Sequence, residues 1–263
     1  MEIIDAHAHI YPEKIAKKAT VAIGDFYNIK MEMPSGTTDN LVEDGKRAGI
    51  SKFVVHSCAT KAEQVGVINN FIKDEGIKHK EFITFMTLHQ DLTEEQIYQE
   101  VNGCIQNGFK GVKLHPDFQK FNIDDESVEK IYRVIGEKLP ILFHVGDDRY
   151  DYSHPERLVN IAKKYKNVRF IAAHFGGYRK WDIVDVYKGL DNVYFDTCSS
   201  LAFISPEKAK SIIDKYGSEK FFFATDFPMW DATTEIERFY KIPLTQSERE
   251  NIFAKNIKNF LKI

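Results

Sequence analysis

The chain has 263 residues, 43% hydrophobic and 29% charged, with 36 Lys plus Arg against 39 Asp plus Glu. That balance belongs to a globular protein; it excludes a disordered chain and lacks the basic surplus of a nucleic-acid binder. No apolar run approaches the roughly 18 residues of a membrane span.

The elements alternate along the chain. Strand-like runs at Glu2 to Ile10, Lys52 to Ser57, Phe82 to His89, Gly111 to His115, Pro140 to Gly146, Val168 to Phe175, Val193 to Cys198 and Phe221 to Phe227 are separated by helix-like segments. Tyr11 to Thr38 is a long connection after the first run, with a helix-like stretch at Lys14 to Gly24. Further on, Thr93 with Gln96 and Thr245 with Glu248 read as capping boxes, and Ser205-Pro206 as an N-cap followed by proline at the first helical position. Gly76, Gly108, Gly189 and Gly217 fall where helices should stop. Eight such units predict a single (β/α)8 TIM-barrel domain over 1–263, with a long β1-α1 loop insertion. No glycine-rich dinucleotide fingerprint follows the first strand.

The polar residues sort onto this frame. His7, His9, His56, His89, His115, His144 and His174 sit at or near the ends of the first six runs, and Asp196 and Asp226 lie in the seventh and eighth. In a barrel that is the catalytic end. Residues two apart in a strand share a face, so Asp5, His7 and His9 point together. Two neighbouring neutral imidazoles suit a borderline transition metal. Cys58, Cys104 and Cys198 form no CxxC pair, which fits a reducing compartment. Met1 runs straight into Glu2-Ile3-Ile4-Asp5, so no secretory signal is expected and a cytoplasmic location is.

Several motifs resemble the amidohydrolase superfamily over essentially the whole chain. They are Asp5-Ala6-His7-Ala8-His9, Gly111-Val112-Lys113-Leu114-His115-Pro116, Tyr152-Ser153-His154-Pro155, Ala173-His174-Phe175-Gly176-Gly177, Thr225-Asp226-Phe227-Pro228 and the tail from Asn256 to Leu261. The set is similar to the amidohydrolase-related group of metal-dependent decarboxylases, lactone hydrolases and hydratases. The resemblance implies metal ligation by His7, His9, His144 and Asp226, with His174 beside the metal to hold or polarise water or substrate. His174 and Asp226 are then the catalytic candidates. One divalent ion is expected, zinc ahead of manganese. In binuclear relatives a carboxylated lysine on the fourth strand bridges two metals, so Lys113 is either that bridge or an interior ion-pair partner.

His115, Arg149, Tyr152, Tyr178, Arg179 and Trp230 are the candidate substrate contacts. Arginine grips carboxylates in a forked geometry, and aromatics line planar substrates. The expected activity is hydrolysis of a small carboxylated molecule by metal-activated water. Non-oxidative decarboxylation on the same ligands is the alternative. A TatD-type nuclease fits less well, since its fourth strand carries a GEIGLD-like glutamate where this chain has GVKLHP. A non-catalytic metal-binding barrel is the remaining reading. The expected partner is a small molecule, with no nucleic acid and no membrane, and apolar outer helix faces are compatible with a homodimer.

Overall fold

The computed structural model describes residues 1–263. Eight strands, in chain order, make one eight-stranded sheet. They are β1 (Ile4–His9), β2 (Lys52–His56), β3 (Phe82–Thr87), β4 (Gly111–Leu114), β5 (Ile141–Phe143), β6 (Phe170–Ala172), β7 (Val193–Asp196) and β8 (Phe221–Phe222). Helices alternate with them in the (β/α)8 TIM-barrel pattern. No helix is long and apolar enough to cross a membrane.

The chain divides into two compact units. The first comprises residues 1–56, 75–83 and 196–263. In it β1 pairs in parallel with β2, His9 lying opposite His56. The other edge of β1 bonds the stretch after β8: Ala6 N–H donates to the Phe223 carbonyl, His9 N–H to Phe227, and Asp226 N–H to His7. An aromatic core of Phe223, Phe239 and Phe253, with ring centroids 4.6–5.5 Å apart, packs behind β8. The second unit comprises residues 57–74 and 84–195. There β4, β5 and β6 pair in parallel in sequence. Tyr132, Phe143 and Phe170 pack together behind them, with ring centroids 6.2–6.3 Å apart.

The capping signals act as the residues require. Thr93 and Thr245 close capping boxes, and Ser205 caps the helix that starts at Pro206. The long connection after β1 is helical over Glu13–Tyr27, fifteen residues, ending on the left-handed Asn28. Two expectations change. Gly76 does not stop its helix, which runs on to Lys78. The segment before Gly189 forms only a short 3-10 turn, Val184–Tyr187.

Three strands are shorter than their apolar runs suggest. β5, β6 and β8 end at Phe143, Ala172 and Phe222, before His144, His174 and Asp226. The backbone leaves the ladder there to turn: His174, Phe175 and Asp226 adopt positive φ of 63°, 54° and 61°. That conformation costs non-glycine residues about 1–3 kcal/mol and persists only where surrounding bonds hold it.

The helix Ala232–Tyr240 carries a wholly buried carboxylate, Glu235. Arg238 donates to it and to Glu32, on the stretch after the Glu13–Tyr27 helix. Burial outweighs this arginine and pushes Glu235 up to about 8. A raised carboxyl pKa makes the protonated form part of the fold. Its contribution is complete below about pH 4.5 and is lost as the pH rises through about 8. Denaturant titrations from pH 5 to 9 should therefore show Glu235→Gln losing less stability with rising pH than the wild type.

Candidate active site

The first unit gathers a cluster around β1. Asp5, His7 and His9 are all buried, and the register of β1 with β2 shifts between Asp5 and Ala8. The His7 Nδ1 lies 2.8 Å from Asp196 Oδ2. A carboxylate there holds the proton on Nδ1 and puts the lone pair on Nε2, the form that can bind a cation. That Nε2 is 3.2 Å from the His9 Nε2, and Asp226 Oδ1 is 3.4 Å from each. Donors placed tetrahedrally about 2.0–2.1 Å from one zinc ion are separated by roughly 3.3–3.4 Å. The three atoms therefore match three corners of a metal polyhedron, and the donor set, two imidazoles and a carboxylate, fits a divalent transition ion.

Asp226 is held by its neighbours. Its N–H bonds the His7 carbonyl, and the Ser199 hydroxyl donates to Oδ2 at 2.5 Å. Ser199 in turn accepts from the Trp230 indole at 2.9 Å. Trp230 is buried, with Arg238 stacked 4.7 Å over its ring. The structure thus places this expected substrate contact behind the carboxylate as its support. Asp5 accepts from the His7 and Thr225 amides and from the Thr225 hydroxyl. Burial nevertheless pushes its carboxyl up to about 7. Cys198 donates its thiol to Asp196 Oδ1 at 3.1 Å.

The second unit gathers three imidazoles beyond β4, β5 and β6. His144 Nε2 lies 2.9 Å from the Gly146 carbonyl, an acceptor only, so the proton sits on Nε2 and Nδ1 carries the lone pair. The His174 Nε2 is 2.9 Å from that Nδ1. The turn at His174 is braced where its carbonyl accepts from the Trp181 indole and from Gly177. Gly146 has φ 85°, and a Cβ there would lie 2.6 Å from the Tyr178 backbone, so only glycine fits this approach. His115 stacks face to face on His144 at 4.1 Å and on Phe118 at 3.7 Å. Its Nδ1 accepts the Phe118 amide, which commits that nitrogen to capping a short helix.

The remaining candidates divide by surroundings. Tyr178 is buried, 5.8 Å from the His174 ring and 6.1 Å from the His144 ring. Exposed Arg179 lies over the Tyr178 face at 5.3 Å. Arg149 is engaged in a forked ion pair with buried Asp147 through Nε and Nη2. Tyr152 is half-buried, stacked on Tyr150. Lys113 is wholly buried on β4. Sequence reasoning missed two contributors and gave no role to a third. Asp117 lies 3.4 Å from His144 Nε2, accepts from Ser153 and is pushed up to about 7 by burial, with Asp147 adding to the effect. Ser199 holds Asp226. His56 lies against His7 and His9, with ring centroids 4.8 and 4.4 Å away. A histidine closing β2 was the visible signal for His56; Asp117 and Ser199 carried none.

A (β/α)8 fold with imidazoles and carboxylates gathered past the ends of its strands is an enzyme architecture. Residues 4–263 match the amidohydrolase family; the chain belongs to it and is an enzyme. No curated protein is significantly similar to it in sequence. Among solved structures it is similar to an uncharacterised TIM-barrel protein from Bordetella bronchiseptica, at 15% identity and TM-score 0.81 over 100% of this chain and 99% of that one. It is also similar to 5-carboxyvanillate decarboxylase from Sphingomonas paucimobilis, at 10% identity and TM-score 0.77, with 100% and 99% covered. A third likeness is a dihydroxybenzoic acid decarboxylase from a Polaromonas species with bound manganese, at 15% identity and TM-score 0.76, with 99% and 97% covered.

If Asp196 sets the His7 tautomer, Asp196→Asn should weaken zinc binding about 10–100-fold in a competition titration against a chromophoric chelator. The same change should leave the far-UV circular dichroism unaltered.

Proposed function

We propose that the protein is a metal-dependent hydrolase of a small carboxylated molecule. The observation that carries this reading is the convergence of His7 Nε2, His9 Nε2 and Asp226 Oδ1 at 3.2–3.4 Å. His144 is the fourth ligand that the family resemblance implies. Its support is the lone pair that the Gly146 carbonyl leaves on Nδ1, where an ion would replace the 2.9 Å contact with His174 Nε2. When bound, a divalent ion supplies Lewis-acid activation of water or of a substrate carbonyl at neutral pH. The donor chemistry favours zinc; manganese is the competing ion, as the Polaromonas relative carries it.

The protein's own groups do the rest. His174 is the proton acceptor and donor, and the backbone bonds at its carbonyl keep Nε2 aimed. Asp117 stands behind His144 and holds its ring. Arg179 is the anchor for a substrate carboxylate, because it is exposed on the loop after β6 with its guanidinium over the Tyr178 ring. Tyr178 presents an aromatic ring near the two imidazoles.

A second reading is non-oxidative decarboxylation, favoured by the names of the two decarboxylases to which the fold is similar. The two separate by product. Metal-loaded protein incubated with lactones, amides and carboxylated phenols in ¹⁸O-water should give a product with one labelled oxygen and no CO₂. Stoichiometric CO₂ without label would transfer the assignment to decarboxylation. Chelation should abolish turnover, and zinc or manganese should restore it. His174→Ala should lower kcat about 10²–10⁴-fold with the metal content per chain unchanged, as loss of a general acid–base group requires; a parallel loss of metal would make it a ligand instead.

A further inference from the structure

His56 is the one buried imidazole of the first unit to which the reading above gives no task. It closes β2 opposite His9, and its carbonyl accepts the Ile10 amide at 3.1 Å, so its backbone is fastened to the residue that follows His9. Residues in register on parallel neighbours project to the same side. Its ring is wholly buried and meets both other rings edge-on, at 90° to His9 and 70° to His7. One ring nitrogen from each of His7, His9 and His56 lies within 4.8 Å of the other two.

We propose that His56 is a further protein ligand, so that the first unit supplies a four-donor set of three imidazoles and one carboxylate. The proposal rests on the metal-dependent reading. Three physical points argue for it. Donor atoms about 2.1 Å from one ion lie about 3.4 Å apart in a tetrahedron and at most about 4.2 Å apart, so His56, with a nitrogen within 4.8 Å of both others, comes into range by rotation of its ring. Asp226 follows β8 on one edge of β1, while His56 ends β2 on the other. The two therefore approach His7 and His9 from different directions, as ligands around a single ion must. Lastly, all three rings are buried, where the attraction between an ion and its donors is little screened. Zinc reaches five ligands, so these four donors leave one position for water or substrate, and His56 then takes the place that the resemblance gives to His144.

The test uses the full-length protein loaded with zinc: wild type, His56→Ala, His56→Phe and, as a reference ligand loss, His9→Ala. Zinc K-edge X-ray absorption counts imidazoles per ion, and chelator competition gives the Kd. The expected result is an imidazole count lower by one in both His56 variants, as in His9→Ala. Affinity should fall by more than the roughly 100-fold that a group merely supporting a ligand costs. An unchanged count in His56→Phe, with normal circular dichroism of the apo protein, would overturn the proposal while leaving the metal-dependent reading intact. Wild-type protein that takes up neither zinc nor manganese would overturn both. The Phe variant keeps the ring volume, so the count is readable even where the Ala variant fails to fold.

Discussion

Residues 4–9 are hydrogen-bonded along both edges, to β2 on one side and to the 223–227 stretch on the other, and the histidine cluster depends on that. A strand bonded on both edges has no freedom to twist a side chain to its other face, since a one-residue slip would reverse every one of them. His7 and His9 are therefore aimed together before any ligand arrives. The same strand holds Asp226, past the end of β8, because the Asp226 amide donates to the His7 carbonyl at 2.9 Å. The two segments that carry His7, His9 and Asp226 thus share one hydrogen-bond network, which fixes the spacing of their backbones.

Around the donors lies a series of groups that orient them. Asp196 bonds His7, Cys198 bonds Asp196, Ser199 bonds Asp226, and Trp230 bonds Ser199. Such supports fix ring orientation and raise ligand basicity. Arg238 extends the series outward, stacking on Trp230 while donating to Glu235 and Glu32. Glu32 also donates its amide to the Met229 carbonyl. The long connection after β1 is thereby fastened to the segment that follows Asp226.

The sequence showed most of this frame because its signals are local. Alternation of apolar runs, capping residues and glycine stops depend on neighbours a few positions away, and they placed every strand. They failed where tertiary bonds overrode them. The runs over 140–146, 168–175 and 221–227 are apolar enough for strands throughout, yet the last residues turn out of the ladder at His144, His174 and Asp226. Gly76 was passed over because packing of its helix outweighs a local cost of about 1 kcal/mol relative to alanine.

The residues of the site divide the same way. Sequence alone determined that His7 and His9 share a face, since the period of a strand is two, and that the other imidazoles and carboxylates cluster at strand ends. Only tertiary structure decided what each one touches. It engaged Arg149 with Asp147, set Trp230 behind Asp226 through Ser199, committed one nitrogen of His115 to a helix cap and brought His56 against the His7–His9 pair. The contacts of Ser199 with Asp226 and of His56 with His9 join residues 27 and 47 positions apart, out of reach of a pattern with a period of two or 3.6; those of Arg149 and His115 are with neighbours two and three positions away, where the period does not say which rotamer the side chain adopts.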